Sequence, residues 1–356
     1  MRIAVLSMRY LGDCVLSAAL CKAIKTHNPQ DEVWMLTFRD NLSILSGMDF
    51  IDGTVGFERR PSYLQELRDF VGIWKSFDWA IVTQKSTRSL LYGYAAGKKV
   101  VMRAFTGQPK NAWMHALVSQ EVTAESNPQQ LDVLATLLEP ICGSVPDVLP
   151  VAPSAPLESQ TEEALHAGPY VVFQASSRFA DKNLSIDFWT ELGSRCIAAG
   201  YRVAFTGGGS QDERRTVEAI ARHWAPKSWL DFLGKLSFGQ SAEVIRRAAA
   251  YVGVDTATSH VAGAVGTPAI VLFGMTSVSA WGPAPQSGAR RYKADQALQR
   301  AGNVTIIQHP KYLHCQACRP RKEGTCPLWP DHAYAACLQS MPVDLVWEEL
   351  KYRLGL

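Results

Sequence analysis

Four stretches carry residues whose types and spacing suit chemistry. In "SMRYLGDCVLSAAL", residues 7–20, Asp13 follows Gly12 where the apolar run "RIAVL" gives way to an amphipathic helix. A carboxylate there can take the proton of an attacking hydroxyl, and the positive end of the helix favours its charged form. The plain alternative is a helix cap. In "YVGVDTATSHVAGAVGTPAIVLFG" a strand, a polar turn and a helix of small residues bring unpartnered main-chain N–H groups to a point that suits a phosphate or diphosphate. Asp255 either caps that helix or hydrogen-bonds a ligand. Thr256 and Ser259 can donate hydroxyls, and His260 either faces the same ligand or is an internally satisfied helix histidine.

"FQASSRFADKNLSIDFW" runs from a strand into a loop where Ser176, Ser177, Arg178 and Lys182 can wrap a phosphate, with Lys182 as the point charge. A solvated loop has the same composition. "TGGGSQDERR" permits close backbone approach, and Asp212 or Glu213 can accept ribose hydroxyls or simply cap the next helix. It lacks the third glycine and the distant acid of the dinucleotide fingerprint, which argues against an oxidoreductase. Finally, Cys315, Cys318, Cys326 and Cys337 fall within one loop-rich segment. Their CxxC start is consistent with a four-thiolate structural site for zinc or iron, or else with reduced packing cysteines or disulfides formed in air.

Elements of a particular kind must position these residues. Apolar runs ("IAVLS", "EVWML", "WAIVTQ", "KVVMRA") alternate with helical patterns, including 14–26 and 86–96, and this alternation predicts an α/β class with parallel sheets. The alternation stops at the proline-rich "GSVPDVLPVAPSAPLES", read as an extended linker. It resumes from "YVVFQAS" to "PAIVLFG", with predicted helices at 186–199, 212–223, 241–250 and from about 258. The expected organisation is a domain over 1–150, a linker over 151–168, and a second domain over 169–341 that includes the Cys-rich segment 314–337. A C-terminal helix over 342–356 completes it. Ligands of such folds bind beyond the carboxyl ends of the strands.

Composition narrows the function classes. The chain has 356 residues, 47% of them hydrophobic, and this supplies a core for each of two domains and excludes a disordered or fibrous protein. A formal charge of +3 without a long basic tract gives no reason to expect nucleic acid as a partner. No apolar run reaches the length of a bilayer span, and "MRIAVLSMRY" reads as a first strand and not as a secretory signal. Cys14, Cys21, Cys142 and Cys196 sit among apolar neighbours as small core residues, so the expected compartment is cytoplasmic.

Taken in order, these motifs resemble glycosyltransferase family 9, the heptosyltransferases that build the lipopolysaccharide inner core and, in some branches, glycosylate proteins. The resemblance covers nearly the whole chain. It implies a GT-B type fold, two Rossmann-like domains facing across a cleft, with the acceptor on the first and the nucleotide sugar on the second. It further implies that Asp13 is the general base of an inverting transfer and that Lys182 lies at the donor diphosphate. The aspartate-led motif at 255–260 would bind the donor with Ser176, Ser177 and Asp212, and no cofactor would be required. The implied donor is ADP-heptose; the implied acceptor is lipopolysaccharide inner core or a protein. A nucleotide-sugar-binding protein without activity is the alternative outside the enzyme class.

Three departures stand out: "QASS" replaces a proline-glycine-serine pattern, "KNLS" replaces a tryptophan-proline pattern, and Ala257 replaces a glycine. A left-handed backbone at Ala257 would cost roughly 1–2 kcal/mol, so either a helical or extended backbone or a slightly different donor position is expected there. Lys85 and Arg88, in the loop after "WAIVTQ", are candidates for an acceptor phosphate. Arg59, Arg60, Lys98, Lys99, Arg103 and Lys110 either form a solvated face or bind anionic head groups in a peripheral contact with the inner membrane.

Overall fold

The computed structural model describes residues 1–104, 112–123, 129–315, 326, 328–329 and 334–356, and the chain divides into two units, Met1–Pro153 and Ser154–Leu356. In the first, β1 (Arg2–Ser7) is buried from Ile3 onward and pairs on both sides in parallel, with Val5 opposite Met35 and Ile81. Burial on both faces explains why this strand is a continuous apolar run with no alternation. With β2 (Glu32–Phe38), β3 (Gly53–Phe57), β4 (Phe77–Val82), β5 (Gly97–Arg103) and β6 (Gln120–Val122) it forms a parallel sheet of order β3-β2-β1-β4-β5-β6. The helices Leu11–His27 and Thr87–Ala96 follow β1 and β4. Leu6, Phe57, Phe77 and Tyr92 belong to one core cluster of this unit.

The second unit repeats the plan. Its strands are β7 (Tyr170–Gln174), β8 (Arg202–Phe205), β9 (Trp229–Asp231), β10 (Ala250–Val254), β11 (Ala269–Phe273), β12 (Leu298–Ala301) and β13 (Val304–Gln308), in the order β12-β13-β11-β10-β7-β8-β9. All pairings are parallel except β12 with β13. Leaving out the antiparallel edge strand β12, both sheets have the doubly wound Rossmann order. In each, the strand order reverses at one point, between β1 and β4 and between β7 and β10, the place where folds of this order open a crevice for ligands.

Several elements differ from the sequence expectation. Ser159–His166, inside the proposed linker, is helical. The preceding residues are tied to the second unit: Ser154 donates to Glu243 at 2.8 Å, and Gln240 donates to the Pro156 carbonyl at 3.0 Å. The sequence reading also omits β3, the helix Tyr63–Ile73, β6 and the β12–β13 hairpin. The final helix, Val343–Leu354, packs Val346 and Leu350 into the core cluster of Phe173, Trp189 and Leu272. Among the described residues no helix is long and apolar enough to cross a membrane.

Candidate functional site

The second unit gathers its candidates at the β7/β10 reversal point. Asp255 follows β10 directly, and Lys182 ends a short 3-10 turn, Ala180–Lys182, in the loop after β7. Lys182 Nζ donates to Asp255 Oδ2 at 2.5 Å and to its carbonyl at 3.3 Å, and Thr276 Oγ1, from the loop after β11, donates to the same Oδ2 at 2.8 Å. Both charged side chains are largely buried. The N-cap of the following helix, Ala257–Val265, is Thr256, so Asp255 stands outside the helix as the acceptor for Lys182 and Thr276 and does not cap it. Ala257 is its first residue, and Lys75 is the one non-glycine described residue with positive φ, so the alanine in place of the family glycine costs no strain.

Hydroxyls lock this helix start to the strand. Ser259 Oγ donates to the Val254 carbonyl at 2.6 Å, and Tyr251 OH, itself buried, lies 2.9 Å from Thr258 Oγ1 and 3.0 Å from Ser259 Oγ. Thr256 Oγ1 is 2.9 Å from Thr258 Oγ1. Ser259 is fully buried and donates its hydroxyl proton to the strand end, so it supports the turn from beneath. His260 is buried, its Nδ1 has no hydrogen-bond partner in the structure, and burial holds it below its ordinary 6.5, with Lys182 adding to the effect and Asp255 opposing it. The imidazole is therefore neutral at neutral pH. At the helix's other end, the side-chain amide of Asn303, at the β12–β13 turn, donates to the carbonyls of Ala262, Gly263 and Thr267.

Around this centre, Ser176 Oγ donates to Glu213 Oε1 at 3.1 Å. Ser177 Oγ accepts from the Phe179 main chain at 3.2 Å, so it shapes its own loop. Glu213 also completes the capping box of the helix Gln211–Ala221 with Ser210. Asp212, by contrast, is exposed and paired with Arg215 at 2.5 Å. The carboxylate placed with Ser176 is thus Glu213 and not Asp212, because the two side chains leave the first helical turn in different directions.

In the first unit, Asp13 lies in the first turn of Leu11–His27, and the N-cap position is Tyr10. Arg9 Nη1 lies 3.7 Å from Asp13 Oδ1. The loop before Asp13 is held by residues that local sequence does not announce. The Met8 N–H donates to Gln84 Oε1 at 2.8 Å, and the Arg9 carbonyl accepts from Asn41 at 3.1 Å and from Arg59 at 3.3 Å. Gln84 and Asn41 are buried polar residues beside an apolar strand end, and that was the available signal. Lys85 donates to the Ala104 carbonyl; burial lowers its affinity for a proton, nearby Arg103 lowers it further, and Glu121 opposes both. Arg88 clasps the carbonyls of Arg59 at 2.6 Å and Glu58 at 2.7 Å.

Of the proposed thiolate set, Cys318 lies outside the described residues. Burial pushes the Cys315 thiol up, with nearby Cys326 adding to the effect, and Cys337 belongs to the short helix Ala336–Gln339. Among the described residues no three His, Cys, Asp or Glu side chains form a group that could hold a metal ion. Cys14 and Cys196 are buried thiols pushed up to about 12 by desolvation, consistent with inert core positions, whereas Cys142 is only half-buried.

Comparison with known proteins gives this geometry a family. The model of glycosyltransferase family 9 (heptosyltransferase) matches residues 73–303. A lipopolysaccharide heptosyltransferase 3 of Escherichia coli is 25% identical over 288 residues, 78% of this chain and 84% of that protein. Among solved structures, an E. coli ADP-heptose lipopolysaccharide heptosyltransferase II shares the fold with a TM-score of 0.72 at 17% identity, covering 100% of this chain and 99% of that one. An E. coli heptosyltransferase solved with ADP gives 0.72 at 16% identity, covering 99% of this chain and all of the other. The two units therefore form a GT-B type fold, and the chain belongs to glycosyltransferase family 9, the heptosyltransferases, and is a glycosyltransferase.

Proposed function

We propose that this glycosyltransferase moves a heptose from ADP-heptose to a lipopolysaccharide inner-core acceptor with inversion at the transferred carbon. The donor falls to the second unit and the acceptor to the first. The acceptor hydroxyl passes its proton to Asp13 as its oxygen bonds to the anomeric carbon. The bond from that carbon to the diphosphate oxygen breaks in the same step, and ADP leaves with the electron pair. Growing charge on the leaving group is met by Lys182 and by main-chain N–H groups at Thr256 and Ala257, the positive end of the helix. Neutral His260 lies beneath that turn. Ser176 and Glu213 are the polar pair available to a ribose or sugar hydroxyl, and Lys85 and Arg88 are the cations on the acceptor side.

The observation that carries the proposal is the Lys182–Asp255–Thr276 cluster at the β7/β10 reversal point, where Rossmann folds bind nucleotides. Relatives named as lipopolysaccharide heptosyltransferases, and a neighbour solved with ADP, support the choice of donor and acceptor. The test is ADP release from ADP-heptose with and without a heptose-bearing inner-core acceptor. Acceptor-dependent release is expected, and Lys182→Ala should raise the donor KM and lower turnover by about 10²-fold or more, the usual cost of one preorganised donor. If wild-type protein binds ADP-heptose and never releases ADP, the chain is a binding protein and the reaction is refuted.

A further inference from the structure

The helix Tyr63–Ile73 is amphipathic the wrong way round for a surface helix. At 100° per residue, Tyr63, Leu67, Val71, Leu64 and Trp74, just past its end, share one arc, and that arc faces outward: Tyr63 is 80% exposed, Val71 70% and Leu64 65%. The acids lie on the inner arc. Glu66 lies 3.7 Å from Arg88, and Asp69 accepts from Gln65 at 2.8 Å and from Tyr92 OH at 3.4 Å. The charge beside the apolar arc is Arg68, which is exposed. The patch continues onto the helix Thr87–Ala96, where exposed Tyr94 packs edge-on against Trp74, 6.3 Å between ring centres, with Lys75 Nζ 3.8 Å above the Tyr94 ring.

We infer that this face is a docking surface for a membrane containing anionic lipid, lying in the headgroup plane with its apolar arc dipped into the acyl boundary. Two features favour that occupant. Over residues 60–74 the exposed charged side chains are Arg60 and Arg68, while the two acids, Glu66 and Asp69, turn inward. Tyr63, Tyr94 and Trp74 also supply the amphipathic rings typical of a membrane–water interface. A second copy of the chain fits less well, since a two-fold contact would gather the Arg60 and Arg68 charges of both copies around one patch. The separate cations proposed from sequence are a poorer anchor. Arg59 pairs with Asp40 at 2.5 Å and Lys98 with Asp78 at 3.0 Å, and Lys110 lies outside the described residues.

Vesicle binding is read without donor or acceptor, so the inference stands or falls apart from the proposed transfer. The full chain is sedimented with vesicles of phosphatidylethanolamine and phosphatidylglycerol and, separately, of phosphatidylcholine alone. Binding to the anionic vesicles is expected to exceed binding to the neutral ones and to weaken with salt. Leu64→Ser with Val71→Ser should lower the partition coefficient at least about tenfold, by removing apolar area that the bilayer would bury. Arg68→Gln should lower it several-fold on anionic vesicles only. Absence of wild-type binding, or equal binding by the double variant, overturns the inference. So does a wild-type dimer in light scattering that the double variant makes monomeric, because the face then belongs to a second copy.

Discussion

At the scale of single residues, the two aspartates that sequence leaves open between capping and chemistry both stand off the N-cap position, which Tyr10 and Thr256 take. This sharpens a prediction. Asp13→Asn keeps the shape of the side chain and weakens the ion pair with half-exposed Arg9, worth about 0–1 kcal/mol. The variant should melt within a few degrees of wild type and bind ADP-heptose normally, while turnover falls about 10²-fold or more. Unchanged turnover in a steady-state assay would remove Asp13 from the base role. Asp13, Lys182 and Asp255 were legible because each sits in a short motif at a strand end. Thr276, Glu213, Gln84 and Asn41 were not, because their roles arise when distant loops converge: Thr276 is 21 residues from the carboxylate it orients.

At the scale of elements, legibility followed burial pattern. Strands buried on both faces, such as β1 and β10, read as apolar runs, and the turn after each was found with them. The strand β3, "GTVGF", has two glycines and little buried side chain, so it lacks the expected periodicity, whereas Tyr63–Ile73 carries a helical apolar spacing and a Ser62 cap that the sequence reading passed over. The β12–β13 hairpin did leave a signal, the Gly302-Asn303 pair between two short β-rich runs. The glycine turn after β8 depends on backbone freedom and close approach together. Gly209 has φ +74°, and a Cβ there would stand 2.8 Å from Gly234. Gly209→Ala should therefore destabilise the fold by more than about 1–2 kcal/mol, measured by urea unfolding. A loss of only a few tenths would show that the turn is free to move away from Gly234.

At the scale of the whole molecule, two successive α/β units were foreseen from the alternation of runs, whereas their shared strand order and the ties that secure the chain's last helix were not. Glu349, nearly fully buried, takes Arg300 Nη2 at 2.6 Å and Thr305 Oγ1 at 2.6 Å, with Arg353 Nε at 3.3 Å. These residues come from β12, β13 and the terminal helix, and no local pattern links them. Removing the carboxylate leaves two arginines without their shared partner. Glu349→Ala should cost about 3 kcal/mol, with hydrogen-exchange protection lost in β12, β13 and the terminal helix while Met1–Pro153 is unchanged. Uniform loss across both units would contradict a local role.

The ion pair between Lys182 and Asp255 also sets an admission rule. Its ammonium is already neutralised by a neighbour 2.5 Å away, so the donor diphosphate proposed to bind there must outcompete a resident carboxylate and does not meet a bare positive charge. Chloride, acetate and other weak monovalent solutes gain little from that exchange. A guest bearing several negative oxygens, able to hold the ammonium and the helix start together, gains more. The threshold for such binding is thus written into the pairing of Lys182 with Asp255 itself.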